Sequence, residues 1–361
     1  MAPKFTGPLL LSSLSRNHAS ATKFRSSASA WMRFASSTPR SYRFHVGASW
    51  LAKPPDPRQR KKTQPFSNDS DIGMWRNQTL SRPTGGSSRG AGEDFFYVQD
   101  MRNLSGMSFG VADGVGGWVE SGVDPSLFSQ ALMYHAHRYA RIAWPGEPEI
   151  DPTKDFDERE EVEGWELLPQ ECMKLAHQGV LRQKDVIAGS STACIVNLNA
   201  SSGVLRAANL GDSGFMIIRS SNVIHRQRAQ THFFNCPKQL AKLPDHVGSG
   251  TVRMDHSSDA DVYETKIRDG DIVILYTDGL SDNVFNNEIT AICSLVARAG
   301  GPEDVQVQMM ADRIVEYARA CMVNRTRVSP FEKAAARDGL SFRGGKLDDV
   351  TVLVALVREV L

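Results

Sequence analysis

Residues 272–279 read Ile-Val-Ile-Leu-Tyr-Thr-Asp-Gly, an apolar run that ends in an acid and a glycine. A short continuous apolar run rich in β-branched residues is typical of a fully buried strand. The Asp278-Gly279 pair marks the point where that strand ends, because Asp-Gly is a common turn dipeptide. The stretch therefore predicts a buried strand that delivers a carboxylate to one edge of a sheet.

Three other stretches repeat this association of an acid with an apolar strand. Residues 109–117 read Phe-Gly-Val-Ala-Asp-Gly-Val-Gly-Gly, and residues 346–351 read Lys-Leu-Asp-Asp-Val-Thr at the start of an apolar segment. The pair Glu93-Asp94 precedes the apolar residues 95–98. Carboxylates brought to one sheet edge repel each other unless a cation lies between them. Oxygen-only ligand sets suit Mg²⁺ or Mn²⁺, so the pattern predicts a divalent metal site.

The order of the remaining elements indicates how the strands are arranged. We predict strands at residues 107–112, 192–198, 204–209, 214–219, 271–277 and 350–357, and helices at 126–142, 167–182 and 303–323. Strands that arrive in adjacent runs, with helices grouped between them, favour an antiparallel α+β layering over a regular alternation of strand and helix.

The composition is that of an ordinary globular protein. The chain has 361 residues, of which 41% are apolar and 23% are charged. These values exclude a collagen-like repeat, a coiled coil and wholesale disorder. No stretch approaches the ~18 consecutive apolar residues of a membrane span, so we expect no integral membrane segment. The five cysteines are odd in number and form no CxxC pair, which argues against a disulfide framework and a zinc site.

Charge is distributed unevenly along the chain. Residues 1–53 hold eight basic residues and no acid, whereas the rest holds 34 of the 42 basic residues and all 41 acids. A basic, Ser-rich segment without acids is typical of a mitochondrial transit peptide, which predicts a matrix location. The alternative is a disordered basic tail that touches nucleic acid. Residues 54–90, rich in Pro, Gly and Ser, are predicted to be a flexible linker before a catalytic domain at 91–358.

Residues 146–166 contain ten acids but only two basic residues. We interpret them as a solvated loop, with a docking surface for a basic partner as the alternative.

Six short segments occur in a fixed order along the chain. They are Gly92-Glu93-Asp94, 112–117, 189–193, 209–213, 277–282 and 347–351. Together they resemble the ordered motifs of the metal-dependent serine/threonine protein phosphatases of type 2C, over about three-quarters of the chain (roughly 91–357). Residues 231–237, residues 329–331 before 344–346, and the basic leader resemble the mitochondrial branch of that family.

The resemblance implies a fold, a cofactor and a set of site residues. The implied fold is a four-layer α-β-β-α sandwich of two antiparallel sheets flanked by helices. The implied cofactor is a pair of Mg²⁺ or Mn²⁺ ions, with a third held more weakly. Asp113 would bridge both ions, Gly114 would give a carbonyl oxygen to one, and Asp278 and Asp348 would hold the other. Glu93 would act directly or through water, Asp94 and Asp349 would order ligand waters, and Asp212 and Asp282 would lie near the third ion.

In that family the ions activate a water that attacks phosphorus, so Asp113, Asp278 and Asp348 would be the catalytic residues. The implied substrates are phosphoproteins, and no nucleic acid is expected as a partner. The sequence gives no indication of the oligomeric state.

Two departures from the family pattern leave questions open. Val115 stands where many members have a His that is proposed to protonate the leaving alcohol, so a water near Asp212 or Asp282 would have to substitute for it. Arg89 lies at the offset of a phosphate-binding arginine, but it is also part of a Gly/Ser-rich stretch where an exposed arginine is ordinary. The rival interpretations are a catalytically silent pseudophosphatase, a small-molecule phosphoesterase and a non-catalytic Ca²⁺ module.

Overall fold

Two five-stranded antiparallel sheets lie at the centre of the structure, a computed structural model that describes residues 40–54, 64–82, 90–148, 164–244 and 254–360. In spatial order, sheet 1 consists of β1 (Tyr42–Leu51), β14 (Val350–Glu359), β13 (Ile272–Tyr276), β7 (Gly214–Arg219) and β8 (Asn222–Arg226). Sheet 2 consists of β12 (Asp261–Lys266), β6 (Val204–Leu210), β5 (Ala193–Asn199), β3 (Gly106–Asp113) and β2 (Asp94–Asp100). Two small pairs join β4 (Gly189–Ser191) to β11 (Leu240–Lys242) and β9 (Thr231–Phe233) to β10 (Cys236–Pro237).

Helices cover the outer faces of both sheets. They are α1 (Asp71–Leu80), α2 (Pro125–Ile142), α3 (Pro169–Arg182), α4 (Asp278–Ser281), α5 (Asn286–Ala299), α6 (Glu303–Val323) and α7 (Pro330–Arg337). Helices α2 and α3 pack on sheet 2, whereas α6 packs on β1 and β14 of sheet 1. The predicted α-β-β-α sandwich is therefore confirmed.

The side chains of strand β14 pack into two apolar cores, one on each face of sheet 1. Leu353, Ala355 and Val357 belong to the apolar cluster that continues into sheet 2. Val352, Val354 and Leu356 belong to a second cluster with α5 and α6. Because successive strand side chains point to opposite faces, a continuous apolar run fills both layers at once.

The amino-terminal boundary requires a correction. Residues 42–51, which we assigned to the leader, form β1 and pair in full with β14. The Trp50 side chain is completely buried and its ring lies 4.9 Å from that of Phe96. The basic composition of residues 1–53 as a whole concealed this strand, although apolar residues alternate along it from Tyr42 to Trp50. The chain from Tyr42 onward therefore belongs to the folded domain.

The predicted linker at 54–90 is also partly structured. Helix α1 lies within it, capped by the Ser70 hydroxyl, which accepts a hydrogen bond from the Gly73 amide at 3.1 Å. Its Trp75 ring lies 5.3 Å from Phe95 and 5.5 Å from Tyr134, so α1 is anchored to β2 and α2.

Two sequence predictions fall largely or wholly outside the described residues. Most of the acidic segment 146–166 does so, because residues 149–163 are not described, and so does Arg89. Among the described helices, none combines the length and apolar character needed to cross a bilayer.

We predict that Trp50→Ala destabilises the domain strongly. Removing a fully buried Trp side chain leaves a cavity beneath β1, which should lower the free energy of unfolding by ~3–5 kcal/mol. Urea denaturation followed by circular dichroism measures this change. The control is Ile187→Ala, since the Ile187 side chain is 63% exposed and its truncation should change the free energy of unfolding by less than ~0.5 kcal/mol. Equal effects of the two substitutions would contradict the placement of β1.

Candidate metal centre

The acids predicted from sequence meet where the two sheets come together. Asp94 begins β2 and lies directly opposite Asp113 at the end of β3. Asp278 follows β13, and Asp348 and Asp349 precede the neighbouring strand β14. Antiparallel pairing places the end of one strand beside the start of the next. The register of each sheet therefore brings its acids to one edge.

Hydrogen bonds join the two edges. The Thr277 hydroxyl of the β13 segment donates to Asp94 Oδ2 of β2 at 2.8 Å and accepts from the Thr351 amide at 3.0 Å. Asp349 Oδ2 accepts from the Glu93 amide at 2.9 Å. These bonds fix acids of sheet 1 against acids of sheet 2, so the site spans both sheets.

Two glycines allow the close approach of these segments. A Cβ on Gly114 would lie 2.7 Å from the Glu93 carbonyl oxygen and 2.8 Å from that of Pro125. Gly92 has a φ of +70°, and a Cβ there would lie 1.9 Å from Asp349 Oδ1. Both positions therefore require glycine.

Two lysines lie among the acids. Lys53, just after β1, donates from Nζ to Glu93 Oε2 at 2.8 Å and to Asp348 Oδ1 at 3.1 Å, and it lies 3.5 Å from Asp349 Oδ2. Its backbone amide also donates to Asp349 Oδ1 at 2.7 Å.

Lys346 makes the matching set of contacts on the other side of Asp348. Its Nζ donates to Asp278 Oδ2 at 2.5 Å and to Asp282 Oδ2 at 2.8 Å, and it lies 3.2 Å from Asp348 Oδ2. The two ammonium groups therefore share the Asp348 carboxylate, one on each oxygen.

Burial and mutual repulsion set the protonation of the acids. Burial, followed by the charges of Asp94, Asp278, Asp348 and Asp212, raises the pKa of Asp113 well above its usual value. Burial and neighbouring acids likewise raise the pKa of Asp212 to about 8, with Asp278 and Asp282 as the charged neighbours. Asp348 differs, because Lys346 and Lys53 outweigh the effect of burial and lower its pKa. The same charges that define the cluster thus resist full ionisation without a counter-cation.

The donor chemistry of the cluster suits a divalent cation. The candidate ligands are oxygen atoms, the type that Mg²⁺ and Mn²⁺ prefer. Asp278 is 8% exposed, and its Oδ1 has no hydrogen-bond partner among the described residues. A buried carboxylate oxygen without a partner is costly, and a metal ion would satisfy it. The residues therefore fit the ions that the motifs imply.

The carboxylates are nevertheless not arranged as ready-made ligands. In the described part of the chain no group of three or more His, Cys, Asp or Glu converges closely enough to hold a metal ion. Lys53 and Lys346 lie between the acids, so ligation by all of them requires these two side chains to move.

Comparison with known proteins gives the family. The family model for stage II sporulation protein E (SpoIIE) matches residues 106–358. Protein phosphatase PTC7 homolog from Homo sapiens is 36% identical over 268 residues, which cover 74% of this chain and 80% of that protein. Its counterpart from Xenopus laevis is 35% identical over 268 residues, which cover 74% of this chain and 82% of that protein.

The chain belongs to the SpoIIE/PP2C-type protein phosphatases. The X-ray structure of the photosystem II phosphatase PBCP agrees with this assignment. It matches with a TM-score of 0.59 and 26% sequence identity, over 88% of this chain and 100% of that chain. The enzyme is accordingly a serine/threonine protein phosphatase, as the ordered motifs predicted.

Sequence reasoning about this phosphatase missed the two lysines. Lys346 could have been noticed, because it lies two residues before Asp348 in a quoted motif. Lys53 could not, because it is 295 residues from Asp348 and only the pairing of β1 with β14 brings it close.

We predict that Gly92→Ala damages the metal centre of the phosphatase. The added Cβ would strike the Asp349 carboxylate and break its bonds to the Glu93 and Lys53 amides. We expect at least ~10-fold weaker Mn²⁺ binding by calorimetry, equivalent to about 1.4 kcal/mol. Gly90→Ala is the matched control, since a Cβ there meets nothing within 4 Å. Unchanged Mn²⁺ affinity in Gly92→Ala would contradict this account of the site.

Proposed function

We propose that this chain hydrolyses phosphoserine and phosphothreonine in mitochondrial proteins, using a pair of divalent ions held by the acid cluster. The observation that carries the proposal is that acids from four separate motifs lie along the junction of the two sheets, where Thr277 binds Asp94 and Lys346 binds Asp278. Family membership supports the same chemistry.

The proposed ligands follow the motifs. Asp113 would hold both ions, the Gly114 carbonyl would contribute to one of them, and Asp278 and Asp348 would contribute to the other. Glu93 acts directly or through water. Four further acids order ligand waters or lie near a weakly held third ion: Asp94, Asp349, Asp212 and Asp282.

When bound, the two ions supply an activated water and Lewis acidity toward the phosphoryl oxygens. The residues of the chain hold the acidic side chains in a fixed orientation. Thr277 fixes Asp94, and the Glu93 and Lys53 amides fix both oxygens of Asp349. Preorganised groups of this kind need little rearrangement in the transition state, which is a major source of rate enhancement. Val115 cannot protonate the leaving alkoxide, so we assign that proton to a water positioned by Asp212 or Asp282.

We predict Mn²⁺- or Mg²⁺-dependent hydrolysis of a phosphoserine peptide, abolished by EDTA. Asp113→Asn and Asp278→Asn should each lower kcat by at least ~100-fold, the scale of losing one electrostatic contact in a catalytic site. Phosphate release measures the effect. The control is Asp185→Asn, because Asp185 is exposed and accepts a hydrogen bond from the Gln183 side chain.

The same assay separates the rival functions. A pseudophosphatase or a Ca²⁺ module would release no phosphate from any substrate. A small-molecule phosphoesterase would prefer sugar phosphates to phosphopeptides. Full activity in an Asp212→Ala/Asp282→Ala double variant would contradict the role given to these two acids in protonation.

The mitochondrial part of the proposal has its own test. We predict that residues 1–41, which precede β1, direct a fluorescent protein to mitochondria because they are basic and free of acids. Replacing Lys4, Arg16, Lys23 and Arg25 by Gln should disperse the signal. Fluorescence microscopy with a mitochondrial dye reads the outcome, and an unchanged mitochondrial signal in this fourfold Gln variant would contradict the prediction.

A further inference from the structure

Lys53 and Lys346 bind the same carboxylates that the proposed metal ions need. Lys53 contacts Glu93 Oε2 at 2.8 Å, and Lys346 contacts Asp278 Oδ2 at 2.5 Å. Asp348 gives Oδ1 to Lys53 and Oδ2 to Lys346. A divalent ion on these oxygens would lie next to an ammonium group, and like charges at such short range repel strongly. Metal ions and the two ammonium groups therefore compete for the same positions.

The two lysines differ in the room they have to move. The Lys53 side chain is 33% exposed, whereas that of Lys346 is 17% exposed. The Lys346 Nζ also lies 5.1 Å from the centre of the Phe331 ring, a favourable position for a cation. Lys53 can turn outward into water, but Lys346 has its aromatic neighbour inside the site.

An ammonium group displaced from carboxylates but retained in the site needs another anion. The reaction supplies one, because a phosphoryl group bears negative charge on its equatorial oxygens. Lysine is well suited to this task, since its three donors rotate freely and it binds phosphate as a point charge.

We propose that Lys53 and Lys346 are counter-cations which the metal ions displace, and that Lys346 then binds the phosphoryl oxygens of the substrate. According to the first half of the proposal, the two lysines weaken the binding of metal ions, because the ions must displace them. The second half adds a substrate-binding residue to the site. The inference rests on the proposed function, because both halves presuppose a divalent metal centre.

The test uses the full chain, stripped with EDTA, as wild type, Lys53→Met and Lys346→Met. Calorimetric titration with Mn²⁺ alone should show ~10-fold tighter binding in both variants, since each has lost one competing cation. The matched control is Lys333→Met, because the Lys333 ammonium also lies over an aromatic ring, 4.9 Å from the Phe285 centre, but its side chain is exposed. Its Mn²⁺ affinity should equal that of wild type.

Inorganic phosphate is the probe for the second half. With saturating Mn²⁺, Lys346→Met should bind phosphate ~10-fold more weakly by calorimetry and raise KM for a phosphopeptide more than it lowers kcat. Lys53→Met should keep wild-type phosphate affinity. Circular dichroism checks that each variant is folded, and Lys53→Met still tests the competition should Lys346→Met fail to fold.

Each half of the proposal has a result that would overturn it. Unchanged or weaker Mn²⁺ binding in Lys53→Met overturns the competition, and unchanged phosphate affinity in Lys346→Met overturns its contact with the substrate. Failure of the proposed function looks different, because wild type itself would then give no Mn²⁺ heat and no turnover.

Discussion

The repulsion among clustered carboxylates is the constraint on which this molecule depends. Asp94 and Asp113 face each other across two strands, and both are pushed toward protonation by burial and by neighbouring acids. Such a cluster lowers stability wherever it lacks compensating positive charge. The same negative field attracts cations, and clustered carboxylate oxygens suit a divalent metal ion.

The rest of the fold serves to keep these acids together. Strands β13 and β14 are buried on both faces, so they are rigid supports for Asp278 and Asp349. The Thr277 hydroxyl, bonded to both Asp94 and the Thr351 amide, ties these supports to the other sheet. Buried polar bonds of this kind are worth little in net stability but specify a single geometry.

Much of this architecture follows from local sequence. Helix α6 has the predicted bounds, Glu303–Val323, because its apolar residues recur with a helical period. The acids at strand ends were found because the apolar runs before or after them are continuous. Strand β12 escaped prediction because it alternates exposed residues at the sheet edge and has no apolar run. Strand β1 was missed for a different reason, because its alternating apolar residues, Tyr42 to Trp50, lie inside a basic segment that was interpreted as a leader.

The contacts of Lys53 cannot be predicted from the local sequence. A charged side chain on a loop is usually solvated, and whether it meets an acid depends on tertiary structure alone. Lys53 illustrates this, since the acids it contacts, Glu93 and Asp348, lie 40 and 295 residues away in the sequence. The acidic motifs were recognisable because their position next to strands is local, whereas Lys53 comes from a remote part of the chain.

The central place of β14 has a consequence for the order of assembly. This strand lies between β1 and β13, yet it is made last, about 300 residues after β1. During synthesis β1 leaves the ribosome early and lacks its hydrogen-bonding partner until β14 has been made. Sheet 1 closes only when the final segment arrives, and Asp348 and Asp349 arrive with it. A chain that ended before residue 348 would thus lack Asp348 and Asp349 and would leave β1 and β13 without their shared partner, and such unpaired strand edges favour aggregation.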